Sequence, residues 1–276
     1  MLEPRGRSSK SGHAIVTGGS SGIGLAAARH FARRGISVSL IARNVERLKR
    51  AQCEVEKVAV GDAAVAVFSA DVGNTEACRK AIEESVTLSG PPTWAVASAG
   101  IVLPGKFLDL PLEAHEMQAR TNYFGSLNFA YHIVPLLVKA GGGRMIFVSS
   151  GAAFLGIYGY SSYGPSKFAV RGLAETLRVE LQSHNVSVTI VYPPDTNTPQ
   201  LVAEIPLRPA PTSVITSASG LWEPEDVANA MILGAERGRF MVVPGWRLGL
   251  LNRVHSMIAP AFRSYQSWVV KRHGYL

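Results

Sequence analysis

The stretch HAIVTGGSSGIG, residues 13–24, decides how the rest of the chain is read. It opens as a short apolar run, as a buried strand does. At Thr17 it passes into glycines at 18, 22 and 24, spaced G-x-x-x-G-x-G. Glycine permits a tight turn and lets backbone approach a pyrophosphate closely. The helix that follows directs free N–H groups and the positive end of its dipole at phosphate oxygens. Ser20 and Ser21 add hydroxyl donors, and Ile23 lies between the last two glycines. A tight turn without a ligand would also use such glycines. Their place between a first strand and a helix is what makes nucleotide binding the expectation.

Working outward, strand-like and helix-like segments alternate. GIGLAAARHFARRG reads as a helix stopping at Gly35, ISVSLIAR as a strand, and residues 44–60 as a helix. AAVAVFSAD is a third strand, followed by a helix over 74–89, and TWAVASAG is the fourth. Residues 112–140 fit one long helix in which Pro135 is expected to form a kink or a division. GRMIFVSS, a helix over 161–184 and VSVTIVYPP follow. After an irregular Pro/Ser/Thr-rich stretch come a helix over Glu225–Arg237 and a strand in RFMVVPG. Such alternation predicts a parallel sheet covered on both faces. The expectation is an α/β fold: a single doubly wound Rossmann-type domain with a seven-stranded parallel sheet in the order 3-2-1-4-5-6-7. It would span 13–245, after a leader at 1–12 and before a basic amphipathic helical tail at 246–276, with a mobile substrate loop at about 199–223.

Composition agrees. A chain of 276 residues, 47% apolar, can bury a core of this kind. The opening MLEPRGRSSKSGH has no apolar h-region of a signal peptide, and no apolar run reaches the ~18 residues of a spanning helix. Cys53 and Cys78, far apart in helix-like segments, read as packing residues, with no disulfide framework and no metal site. A reducing, cytoplasmic setting is therefore expected. The excess behind the formal charge of +8 is concentrated toward the C-terminus, where from Arg237 onward Arg237, Arg239, Arg247, Arg253, Arg263, Lys271 and Arg272 meet no Asp or Glu. No nucleic-acid-reading motif accompanies it, so nucleic acid is not an expected partner.

The end of the second strand bears on which nucleotide binds. An acidic residue there would hold a ribose 2′-hydroxyl. Instead LIARNVERL places Arg43 after Ala42 and Arg47 one helical turn later. Two guanidiniums suit a 2′-phosphate, which points to NADPH; a solvated basic helix start is the plainer alternative. Asp71, with Val72 beside it at the end of the third strand, could accept a bond from an adenine amino group or serve as a helix cap.

SYGPSK, residues 162–167, sets Tyr163 and Lys167 on one helical face. A phenol with a reference pKa of ~10 is a sluggish acid near neutrality, and a nearby cation lowers it. Ser150, at the end of the fifth strand, could hydrogen-bond a carbonyl. Tyr-x-x-x-Lys alone is a common helical spacing. Together with TGGSSGIG, Ser150 and Asn122 of RTNYFGS, it resembles the short-chain dehydrogenase/reductase family over about residues 13–200.

That resemblance implies a role for each matched residue. Tyr163 would be the general acid, Ser150 would polarise the carbonyl, and Lys167 would hold the nicotinamide ribose and depress the tyrosine. Asn122 would hold the helix and a proton-relaying water. It also implies a homo-oligomer, a dimer or tetramer. One departure is ASAG at 97–100, where Ser98 stands for an asparagine that braces the sheet. YPPDTNTP at 192–199, with ARN, GKFLDL and SKFAVRGLAE, is similar to the 3-ketodihydrosphingosine reductase branch. This likeness implies that Pro193 covers the nicotinamide, that Thr198 lies near its carboxamide, and that a long-chain keto-lipid of sphingolipid metabolism is the substrate. A 3-oxoacyl thioester or a steroid-like ketone stays open as substrate, as does a non-catalytic NADPH-binding scaffold or sensor.

The tail offers a separate hint. Leu250, Leu251, Val254, Met257, Ile258, Ala261, Phe262, Tyr265, Trp268 and Val269 recur at steps of three and four, with Pro260 expected to kink or split the helix. Such a stripe could pack on its own body, on another subunit, over a lipid pocket or on a membrane surface.

Overall fold

A computed structural model describes residues 12–217 and 220–275, so the expected leader, Gly12 apart, lies outside the described residues. The apolar runs become strands β1 (His13–Thr17), β2 (Ser37–Ala42), β3 (Val65–Ser69), β4 (Trp94–Ala97), β5 (Gly143–Val148) and β6 (Val186–Val191). Two short strands, β7 (Asp195–Thr196) and β8 (Leu221–Trp222), pair with each other, and β9 (Met241–Val242) ends the series. The main sheet is parallel and seven-stranded, ordered β3-β2-β1-β4-β5-β6-β9. This is the expected order, with β9 as its seventh strand. Strand order reverses at β1, where Val16 is in register with Leu40 on one side and Val96 on the other. Ligands of open α/β sheets bind outside the carboxyl ends of the strands at such a reversal.

Alternation along β1 feeds two cores. Ala14 and Val16 join Leu40 and the helices α1 (Gly22–Ala32) and α2 (Val45–Glu56), through Phe31 and Leu48. Ile15 turns the other way and meets α3 (Thr75–Ser89) through Ile82. Asn44 and Asn74 cap α2 and α3, accepting from the backbone N–H of Arg47 and Ala77.

The long helix expected over 112–140 is divided, but not at Pro135. It runs as α4 (Leu112–Gln118), a π-helical turn (Ala119–Phe124) and α5 (Gly125–Lys139), which contains Pro135 unbroken. The carbonyl that Pro135 leaves without a donor belongs to exposed Tyr131, where water can satisfy it. The π turn displaces one residue from the α register, as such turns often do at functional sites.

α6 (Tyr163–Glu180) packs beside α5 through Val170. The stretch read as irregular is largely helical: α7 (Pro199–Glu204), a 3-10 turn (Ile205–Leu207) and α8 (Ala210–Thr216). Its breakers act as helix starters. Thr198 is the N-cap of α7, accepting from Leu201, and Pro199 takes its first position. α9 (Pro224–Glu236) returns to the face of α1 through Met231.

The tail is one helix, α10 (Trp246–Arg272), continuous through Pro260, whose unpaired carbonyl partner is exposed Ser256. Its apolar stripe is split between two directions. Leu251, Phe262 and Val269 turn inward, whereas Leu250, Met257, Tyr265 and Trp268 are exposed. Of the cysteines, Cys78 is buried as expected, but Cys53 is exposed, because α2 turns Leu48, Ala51 and Val55 to the core instead.

Candidate active site

The reversal at β1 opens into a cavity of about 680 Å³. One end is lined by Gly18, Ser20, Ser21, Gly22 and Ile23, and by Arg43, Arg47, Asp71 and Val72. Gly18 has φ +67°, and a Cβ there would lie 2.8 Å from the Ala99 backbone. Gly24 does not line the cavity. It sits behind the loop, where a Cβ would come within 2.4 Å of the Gly18 carbonyl oxygen. The glycines thus compress loop, helix and β4 into contact, leaving the cradle surface to backbone and serine. A dinucleotide pyrophosphate fits a cradle of this kind.

Thr17 supplies the bracing that Ser98 was expected to weaken. Its hydroxyl donates to Val96 O and accepts from the N–H groups of Ser98 and Ala99. Arg43 and Arg47 are exposed and paired with no carboxylate among the described residues. Asp71 is not the cap of α3, which is Asn74. Its carboxylate accepts instead from Gly73 N–H at 2.9 Å. Pro193 and Thr198 also line the cavity, and Thr198 reaches the loop: a Cβ on Gly22 would lie 2.9 Å from its Cγ2.

At the other end Ser150, Tyr163 and Lys167 line the cavity together, and Lys167 Nζ lies 5.6 Å from the Tyr163 ring centroid. Ser150 follows β5 and caps a short 3-10 turn, accepting from Ala152 N–H. Tyr163 opens α6, so Lys167 sits one turn on, where Nζ donates to Val148 O at 3.1 Å. Asn122 stands one layer behind, fully buried in the π turn. Its Nδ2 donates to Ile101 O and Ser166 Oγ, and its Oδ1 accepts from Ile101 N–H. Gly100 leaves room between Asn122 and Lys167, since a Cβ there would be 3.3 Å from both side chains.

The acidity of this group differs from the expectation. Burial pushes the Tyr163 phenol up, against the pull of the nearby Ser150 hydroxyl. Burial also pulls the Lys167 ammonium down, to about 8. Desolvation, not the neighbouring cation, dominates the phenol. A phenol held protonated at neutral pH is in the state that a proton donor needs.

Motif reading missed other parts of the wall. Leu248, Leu251 and Phe262 of the tail line the cavity with Leu207 and Ile215, as do Tyr160, Asp195, Glu204 and Arg208. The apolar periodicity of the tail contained part of this signal. The charged residues carried none, being scattered over 160–208.

A family model for short chain dehydrogenase matches residues 12–206. The 3-dehydrosphinganine reductase of Danio rerio is 36% identical, over 87% of this chain and 73% of its own length. The 3-ketodihydrosphingosine reductase of Bos taurus is 37% identical over the same shares. A 3-dehydrosphinganine reductase of Arabidopsis thaliana is 37% identical over 91% of this chain and 76% of its own. Among solved structures, a short-chain type dehydrogenase/reductase from Mycobacterium ulcerans superposes with a TM-score of 0.76 at 26% identity, covering 84% of this chain and 87% of that one. Levodione reductase, 20% identical with a TM-score of 0.77 over 84% and 95%, shares the fold. The chain belongs to the short-chain dehydrogenase/reductase family and is an oxidoreductase that binds a nicotinamide cofactor.

Proposed function

We propose that this protein reduces the 3-keto group of a 3-ketodihydrosphingosine to the alcohol with NADPH. The observation that carries the chemistry is the convergence of Ser150, Tyr163 and Lys167 on one cavity, beneath its apolar tail wall. The relatives' names support the substrate. The unpaired Arg43 and Arg47 support NADPH, since two guanidiniums at the adenosine end suit a 2′-phosphate. Gly18, Ser20, Ser21, Gly22 and Ile23 would cradle the pyrophosphate, with Gly24 holding the loop from behind. Asp71 and Val72 would flank the adenine, and Pro193 and Thr198 the nicotinamide.

When bound, the cofactor supplies the hydride that the carbonyl carbon receives. Ser150 hydrogen-bonds the ketone oxygen and Tyr163 gives it the phenolic proton, so the C=O bond becomes CH–OH. Lys167 lies where it can return a proton, and Asn122 holds α6 in place.

No helix among the described residues is long and apolar enough to cross a membrane. The exposed Trp246, Met257, Tyr265 and Trp268, beside Arg253, Arg263 and Lys271, support peripheral contact of α10 with an anionic lipid surface. The unpaired cysteines support a reducing, cytoplasmic setting. We further infer a catalytic body over 13–245 with α10 appended, assembled as a dimer or tetramer.

The test is product analysis by mass spectrometry after incubation with NADPH and, separately, 3-ketosphinganine, a 3-oxoacyl thioester and a steroid ketone. Sphinganine is the expected product. Its absence where another ketone is reduced would overturn the substrate assignment.

A further inference from the structure

The cavity has a charged corner that proton transfer does not use. Glu204 and Arg208, with side chains 7% and 5% exposed, face Asp195 and Tyr160 there. Arg208 Nε donates to Glu204 Oε1 at 2.7 Å. Its terminal nitrogens donate to Asp195 Oδ2 and Oδ1 at 2.7 and 3.0 Å. The Tyr160 hydroxyl donates to the same Glu204 Oε1. The corner adjoins the reacting position, since the rings of Tyr160 and Tyr163 meet edge to face with centroids 5.3 Å apart.

Two properties of the corner are left uncompensated. Among these four groups two carboxylates oppose one guanidinium, which leaves one formal negative charge in excess; Asp195 is 28% exposed and partly screened, so the excess rests chiefly on Glu204. Both donors also converge on Glu204 Oε1, while Oε2 accepts from no group among the described residues. That oxygen stays open to the cavity, where a ligand cation can take the place of water. The corner's field already reaches Tyr163. After burial, its strongest influence, and the opposing Ser150 hydroxyl, Glu204 and Asp195 push the phenol up while Arg208 pulls it down.

We propose that Glu204 Oε2 receives the protonated amine on the carbon next to the ketone, making Glu204 the residue that selects an amino-ketone over a neutral one. This rests on the amino-ketone reading above. With the ketone oxygen at Ser150 and Tyr163, the proposed pose turns the amine-bearing neighbour carbon toward Tyr160 and leaves the apolar wall to the alkyl chain. Substrate binding then brings the corner to neutrality beside the proton donor.

Glu204→Gln keeps an oxygen for Tyr160 and Arg208 but removes the charge. The experiment compares kcat/KM of wild type and variant on 3-ketosphinganine and on the chain-matched 1-hydroxy-3-ketone without the amine. Wild type should prefer the amine-bearing ketone, and the variant should lose about tenfold to a hundredfold of that preference, mainly in KM. An unchanged ratio, including equal losses on both ketones, overturns the proposal. Wild type inert toward 3-ketosphinganine yet active on another ketone overturns the functional reading itself. Should the variant fail to fold, inhibition of wild type decides. A long-chain 2-amino alcohol should compete about tenfold better than the same alcohol without the amine. Equal inhibition overturns the proposal.

Discussion

Asn122 donates from Nδ2 to Ser166 Oγ at 2.9 Å, and this bond ties the π turn between α4 and α5 to the helix that carries Tyr163 and Lys167. The same amide exchanges two hydrogen bonds with the Ile101 backbone beyond β4. One buried side chain therefore joins the segment after central strand β4 to the proton-transfer helix. In Asn122→Leu these donors and acceptors lose their partner. The expected result is a loss of about 1–3 kcal/mol in stability. Turnover should fall more steeply than KM rises. Denaturant unfolding and steady-state kinetics check both, and a variant of wild-type kcat would refute the positioning role.

The pH profile should report Lys167. Burial pulls its pKa down to about 8, so it is charged below that pH and neutral above it. Tyr163 is pushed the other way and stays protonated throughout. Reductive kcat should be level near neutrality and fall about tenfold per pH unit above the lysine pKa. A profile that stays level well past it would exclude Lys167 from proton return.

Tyr163→Phe removes the hydroxyl and leaves the ring in place. Cofactor affinity, read by quenching of intrinsic fluorescence, should stay near wild type. Turnover should fall by about 10²–10⁴. Turnover close to wild type would move the proton donor elsewhere.

Arg43→Asp places a carboxylate where the 2′-phosphate is proposed to bind. The KM for NADPH should rise about tenfold to a hundredfold while that for NADH changes little or improves. A parallel rise for both cofactors would indicate damage to the loop instead.

The exposed face of α10 can be tested without truncation, which matters because Leu248, Leu251 and Phe262 of the same helix wall the cavity. Met257→Ser with Trp268→Ser removes two large side chains, 82% and 55% exposed, from the outer face. Co-sedimentation with phosphatidylserine vesicles should weaken while activity on detergent-dispersed substrate persists. Binding equal to wild type would remove membrane contact from the reading.

What was legible in the sequence was what local chemistry dictates. The glycine turn, the strand–helix alternation and the Tyr163–Lys167 spacing follow from backbone sterics and helical period, and the family resemblance these motifs carry implied the roles within the site. Tertiary structure decided what depends on surroundings. Pro135 and Pro260 read as breaks, yet both helices run through them, and the residues whose carbonyls lose a donor, Tyr131 and Ser256, are exposed. The division falls instead at a π turn that no propensity marks. Thr198 and Pro199 read as loop residues until their neighbours made them a helix start. The direction of the Tyr163 shift came from burial, which no spacing records. The corner of Tyr160, Asp195, Glu204 and Arg208 exists only because β7, α7 and the loop before α6 converge on one cavity. Charge balance and an open carboxylate oxygen are properties of that convergence, and pattern along the chain cannot carry them.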